Sequence, residues 1–111
     1  MIEASCHCGA VLLKISRAPD EVTDCNCTLC RRYGALWAYY SPKDVLATEA
    51  ATDVYMWGRR SIEFHRCKHC GCLTHWRAVD KMWDRMGVNA RLTAPEVLAH
   101  AQVHHFDGAA G

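Results

Sequence analysis

Eight cysteines in a chain of 111 residues fall into three clusters: Cys6-His7-Cys8, Cys25-Asn26-Cys27-Thr28-Leu29-Cys30 and Cys67-Lys68-His69-Cys70-Gly71-Cys72. Thiols spaced two or three residues apart can converge on one point, as a tetrahedral metal requires, and zinc is the ion that such pairs most commonly hold. Gly9 and Gly71 each follow a cysteine pair, and glycine permits the tight backbone turn of a metal knuckle. Two knuckles far apart in sequence, closed on one ion, make a complete four-thiolate site from Cys6, Cys8, Cys67 and Cys70. Binding energy at such a site is folding energy.

The middle cluster is left with three thiols, Cys25, Cys27 and Cys30. Structural zinc is closed by four protein ligands, whereas catalytic zinc keeps three and an open place. Three thiolates on Zn²⁺ leave a net charge of −1, a weaker Lewis acid than an ion held by neutral histidines. A fourth thiol arriving there would bind as thiolate, because the metal deprotonates it. Such a centre suits making sulfur a nucleophile, so carbon–sulfur chemistry on a small thiol is favoured over hydrolysis. The competing reading is a second structural zinc, completed by Cys72 or a histidine. On that reading the chain is a non-catalytic interaction module with two structural zinc sites.

Other cysteine chemistries fit less well. A thioredoxin-type use of Cys67-Lys68-His69-Cys70 leaves the remaining thiols unexplained and lacks a βαβ context. Neither Cys-x-x-Cys is followed by histidine, which excludes covalent haem, and no His-x-Glu exists for a zinc deaminase. Arg31 and Arg32 follow the last middle thiol and could clamp substrate carboxylates; a solvated pair is the equal alternative. Trp37, downstream of the same cluster, is a candidate pocket wall, while Tyr39, Tyr40, Trp57, Trp76 and Trp83 read mainly as core and sheet-face residues. Arg59 and Arg60 read as hairpin-turn surface, and His104 and His105 show no partner.

The elements that must carry these residues are strands. Hydrophobic alternation of period two marks Ala10–Ser16, with Val11, Leu13 and Ile15 on one face, and the aromatic stretch Ala35–Ser41, which stops at Pro42. Val54–Trp57 and Ser61–Arg66 flank Gly58-Arg59-Arg60 as a hairpin, Ile62 and Phe64 inward, Glu63 and His65 outward. Leu73–Val79 and Lys81–Leu92 continue the pattern. Thr93-Ala94-Pro95-Glu96 reads as a capping box with proline in the first turn of a short helix. The expected architecture is one mostly β domain over 1–108, with a tail at 109–111. Thirteen basic against 12 acidic residues, a net charge of +1, argue against a nucleic-acid partner. No apolar run approaches a membrane span, and the start lacks the order of a signal peptide. A reducing, cytoplasmic setting is expected, with cysteines metal-bound rather than paired.

The order Cys6-His7-Cys8-Gly9, Cys25-Asn26-Cys27-Thr28-Leu29-Cys30-Arg31, Cys67-Lys68-His69-Cys70-Gly71 resembles the glutathione-dependent formaldehyde-activating enzyme family, which also includes centromere protein V. The ending Val103-His104-His105-Phe106-Asp107-Gly108 is similar to one found in this group. The resemblance implies a zinc-stapled β-tent of antiparallel sheets with one short C-terminal helical turn. It implies two zinc ions per chain, one structural on Cys6, Cys8, Cys67 and Cys70, one catalytic on Cys25, Cys27 and Cys30. The activity implied is that of a carbon–sulfur lyase or synthase, such as formation of S-hydroxymethylglutathione from glutathione and formaldehyde. Two features depart from the family: the chain is shorter than the founding enzyme, and Cys72 adds a thiol that the motif does not require.

Overall fold

The computed structural model describes residues 1–109; Ala110 and Gly111, the end of the expected tail, lie outside the described residues. Strand follows strand: β1 (Ile2–Ser5), β2 (Leu12–Ile15), β3 (Glu21–Cys25), β4 (Trp37–Tyr40), β5 (Val45–Ala47), β6 (Thr52–Tyr55), β7 (Ile62–Cys67), β8 (Leu73–Ala78), β9 (Met86–Asn89) and β10 (Gln102–Phe106). Two short helices interrupt them, α1 (Cys30–Tyr33) and α2 (Pro95–Ala99). The strands form two sheets, a small one ordered β1-β2-β5 and a large one ordered β10-β3-β4-β9-β8-β7-β6. The mostly β class expected from the alternation is the observed one. All pairs are antiparallel except β10 with β3, which run parallel. The sequence reading missed β1, β3, β5, β10 and α1. These segments are short or polar, and β10 is exposed along its whole length, so none carries a strong apolar period.

Alternation along β4 explains how the chain builds two cores from one sheet. Ala38 and Tyr40 face Leu13, Ile15, Val45, Met86 and Val88, the core between the small sheet and the large one. Trp37 joins Phe64, Leu73, Trp76 and Ala78 in a second core, against which Tyr39 packs. Side chains at successive strand positions point to opposite faces, so a single strand serves both layers. Met86 and Val88 have no exposure at all. The alternating pattern over Lys81–Leu92 is a strand only from Met86 to Asn89, because Asp80 receives the backbone N–H groups of Met82 and Trp83 and turns the chain there.

The expected hairpin forms, with Thr52 opposite Cys67 and Tyr55 opposite Phe64. His65, however, is buried rather than outward. Glu49, in the link before β6, covers that face of β7 and β8 through its contacts with His75 and Arg77. The capping box at the start of α2 is absent as well. Ala94 is the N-cap, without a side-chain bond, because the Thr93 hydroxyl donates back to the Ala90 carbonyl at 2.6 Å. Trp57 and Trp83 are about half exposed rather than core; Trp83 stacks on Trp76 with centroids 5.6 Å apart. Among the described residues no helix is long and apolar enough to cross a membrane.

Gly87 lies opposite Trp76 in the β8–β9 ladder, and a Cβ there would collide with the indole ring. That ring is held between Trp83 and Tyr39. Gly87→Ala is therefore expected to destabilise the fold by about 1–3 kcal/mol, read as a lower thermal midpoint. An unchanged midpoint would mean that Trp76 is free to yield.

Candidate functional site

Three elements bring the first and third cysteine clusters together. Cys6 and Cys8 sit in the turn between β1 and β2, and Cys67 ends β7 just before the tight turn that holds Cys70. In each turn a glycine takes a left-handed conformation, Gly9 at φ 84° and Gly71 at φ 80°. Its N–H closes the turn onto a cysteine carbonyl, Gly9 to Cys6 at 3.2 Å and Gly71 to Cys67 at 3.0 Å. Backbone N–H groups also reach the sulfurs, Val11 to Cys6 Sγ at 3.3 Å and His69 to Cys67 Sγ at 3.4 Å. The side chains of His7 and His69 are exposed.

The sulfurs of Cys6, Cys8, Cys67 and Cys70 all lie within 4.8 Å of one another. Cys6 to Cys8 measures 3.7 Å and Cys8 to Cys67 3.6 Å. A zinc–sulfur bond of ~2.3 Å puts the edge of a ZnS₄ tetrahedron at roughly 3.8 Å, whereas a disulfide joins its sulfurs at about 2.05 Å. The spacing thus fits a metal and not a disulfide. Charge points the same way. Backbone N–H groups of Cys72 and Cys8 hold the Cys70 thiol down at about 5. For Cys8 the Ala10 N–H pulls downward, but Cys67, burial and the other thiols push it up to about 12. Without a cation the four sulfurs cannot all carry charge; with a dication they can. Cys72 packs beside this quartet with Cys6, Val11, Cys67 and Cys70.

The middle cluster is assembled by the end of β3 and the start of α1. Cys25 closes the strand and Cys30 opens the helix, whose N–H groups turn back toward the preceding loop: Cys30 N donates to Cys27 Sγ at 3.3 Å. The three sulfurs lie within 4.8 Å of one another, and among the described residues no further histidine, cysteine or carboxylate joins that group. Cys72 therefore does not complete the trio. Burial works against the Cys27 thiolate, yet N–H groups of Cys30 and Leu29 and the Cys30 thiol bring its pKa below the usual thiol value. Burial, and then the negative charge on Cys27, pushes the Cys30 thiol up to about 12, against a hydrogen bond from Trp37. Cys25 is raised by burial and by Cys27 in the same way. As a donor set the trio suits zinc, since a dication lets all three ionise.

The trio opens on a cavity of about 400 Å³ lined by Cys25, Cys27 and Cys30 with Trp37, Tyr39, Trp57, Arg59, Phe64, Trp76 and Phe106 among its walls. That volume and an apolar lining are typical of small-molecule sites. Trp37 thus stands in the wall. Arg31 and Arg32 are exposed on α1 and do not line the cavity; Arg32 donates instead to the Thr28 carbonyl at 2.7 Å. Arg59, read from sequence as turn surface, is the arginine at the cavity.

Sequence reasoning also missed the role of the C-terminal segment. The parallel β3–β10 pair sets Phe106 beside Cys25, and the chain then folds over the middle cluster. Asn26 Nδ2 donates to Asp107 Oδ1 at 2.9 Å, and Ala109 N donates to Asn26 Oδ1 at 3.0 Å. A Cβ on Gly108 would stand 2.7 Å from Cys25 Sγ and 3.2 Å from Cys27 Cβ. His105 is not without a partner, since its Nδ1 lies 3.3 Å from Asp24 Oδ2. The available signals were the ending over residues 103–108 and, within it, Gly108, a glycine just after an extended segment.

Comparison with known proteins adds to this geometry. The crystal structure of a Rhodobacter sphaeroides protein is similar to this one, with a TM-score of 0.74 and 25% sequence identity, over 93% of this chain and 100% of that one. No match was found among curated proteins. Residues 1–107 match the family described as glutathione-dependent formaldehyde-activating enzyme. With a match over nearly its whole length, this chain belongs to the glutathione-dependent formaldehyde-activating enzyme family.

Proposed function

We propose that this chain is a zinc-dependent carbon–sulfur lyase or synthase acting on a small thiol such as glutathione and an aldehyde such as formaldehyde. One observation carries the reading: three converging sulfurs, without a fourth protein donor among the described residues, face a cavity of small-molecule size. The quartet of Cys6, Cys8, Cys67 and Cys70 takes a structural zinc, and the trio of Cys25, Cys27 and Cys30 takes a catalytic one. A zinc on the trio supplies an acidifying centre for an incoming thiol.

In the synthetic direction the substrate S–H bond breaks, a carbon–sulfur bond forms at the carbonyl carbon, and the proton ends on the former carbonyl oxygen. The protein's share is placement. N–H groups of Cys30 and Leu29 lower the Cys27 thiol below its ordinary pKa, against the effect of burial. Trp37, Phe64, Trp76 and Phe106 exclude water and confine the aldehyde. Arg59 offers a guanidinium for a substrate carboxylate, a pairing that its fork geometry suits. Arg31 and Arg32 serve any part of the thiol that extends beyond the cavity. Thiolate ligands need a reducing setting, so we place the protein in the cytoplasm. The rival reading, a non-catalytic module with two structural zinc sites, needs a closed trio.

Cys27→Ser is expected to reduce the thiol–aldehyde addition to its uncatalysed rate, followed by NMR of the hydroxymethyl adduct. Metal content should fall by one ion per chain while the fold persists. Activity retained with that ion lost would remove the mechanism. Gly108→Val is expected to press on Cys25 and loosen the trio alone, seen as faster transfer of one zinc to a chromophoric chelator. Unchanged transfer would show that the tail does not bear on the site.

A further inference from the structure

We propose a third metal site, unrelated to the thiolates, in which His65, His75 and Glu49 bind a divalent cation of the zinc type. The candidate ligand atoms of these residues lie within 4.8 Å of one another. His65 and His75 are cross-strand partners on β7 and β8, with rings stacked at 4.4 Å and 14° between planes. Their neighbours in the ladder, Phe64 and Trp76, pair at the next register position and line the cavity. Side-chain alternation therefore sets the histidines on the opposite face of the sheet.

Two threonine hydroxyls face the Nδ1 atoms and leave the Nε2 atoms turned toward Glu49. The Thr52 hydroxyl gives its one proton to the Glu49 carbonyl at 2.8 Å, so toward His65 Nδ1, 2.9 Å away, it can only accept. The Thr74 hydroxyl likewise reaches the His65 carbonyl at 3.2 Å and His75 Nδ1 at 2.8 Å, and when its proton goes to the carbonyl it accepts from Nδ1. With the two hydroxyl protons on those carbonyls, both neutral histidines carry a proton on Nδ1 and present a lone pair on Nε2. His75 Nε2 meets Glu49 Oε2 at 2.6 Å, and His65 Nε2 is 3.8 Å from the same oxygen. Two lone pairs and a carboxylate converging on one point call for a cation.

His65 Nε2 sharpens the inference. It is the buried side-chain nitrogen or oxygen without a hydrogen-bond partner among the described residues, on a residue only 7% exposed. A buried polar atom left unpaired is costly and needs an explanation. A proton shared by His75 and Glu49 satisfies that pair but leaves His65 unused; a metal uses all three. Two imidazoles and a carboxylate form a well-attested zinc donor set that leaves the fourth place to water. The surroundings are those of ligating groups: each histidine is oriented through its other nitrogen, and Glu49 receives Arg77 Nε at 2.5 Å. Glu63 Oε1, 3.6 Å from His65 Nε2, adds negative charge. On binding, the ion takes the place of the proton between His75 and Glu49, which passes to solvent.

The test uses the full chain with its thiolate clusters already loaded with zinc. Adding Zn²⁺ should bind one further ion per chain, raise the thermal midpoint and shift the Nε2 resonances of His65 and His75 in long-range ¹H–¹⁵N spectra. Glu49→Gln and His65→Gln should each abolish that increment and leave the thiolate-held zinc in place. If either variant fails to fold, the wild-type nitrogen shifts decide. No further ion bound, an increment surviving both substitutions, or Nε2 resonances unmoved by zinc would each overturn the site. None of these outcomes bears on Cys25, Cys27 and Cys30, so the proposed activity stands or falls separately.

Discussion

The convergence of four sulfurs from Cys6, Cys8, Cys67 and Cys70 is the constraint on which the rest of the structure depends. Two turns more than fifty residues apart in sequence must reach one point with sulfur spacings near 3.7 Å. That requirement ties the β1–β2 turn of the small sheet to the β7–β8 turn of the large one. A chain of this length buries a modest fraction of its surface, and here the interior is further divided among a core between the sheets, an aromatic core behind the cavity and a small cluster under the quartet. No single layer dominates. A metal on the quartet would compensate, because an ion that binds only the folded arrangement adds its binding energy to folding.

The two cysteine sets differ in what surrounds them. The quartet is closed on itself, braced by backbone N–H groups and by Val11. The trio faces an aromatic cavity, and its charge is uneven, with Cys27 favoured as thiolate and Cys25 and Cys30 disfavoured. Identical residue types thus acquire different chemistry through the number of neighbours that complete them. Cys72 makes the point: three residues of backbone place it at the quartet's edge, where its sulfur cannot serve the trio.

Much of this was legible in the residues. Cysteine spacing and the flanking glycines separate the quartet from the trio, because local turn geometry follows directly from short sequence motifs. Strands with a buried face, such as β2 and β4, show in their alternation. What stayed hidden depends on tertiary partners. β10 is exposed throughout and owes its conformation to β3 rather than to its own pattern. Arg59 reaches the cavity through the hairpin's curl, whereas Arg31 and Arg32, nearer in sequence to the thiols, do not. His65 read as outward from its own strand, yet Glu49, from a separate link, covers it. Alternation identifies faces, not what comes to lie on them.

The parallel pairing of β10 with β3 also sets an order of assembly. All four sulfurs of the quartet belong to the first 70 residues, while β3 must wait for residues 102–106 before its free edge is matched. A nascent chain can therefore bring the quartet together while β10 is still inside the ribosome. Gly108 and Asp107 then arrive over Cys25 and Asn26 once β10 has joined β3. The middle thiols are enclosed only after the scaffold that carries them has already formed.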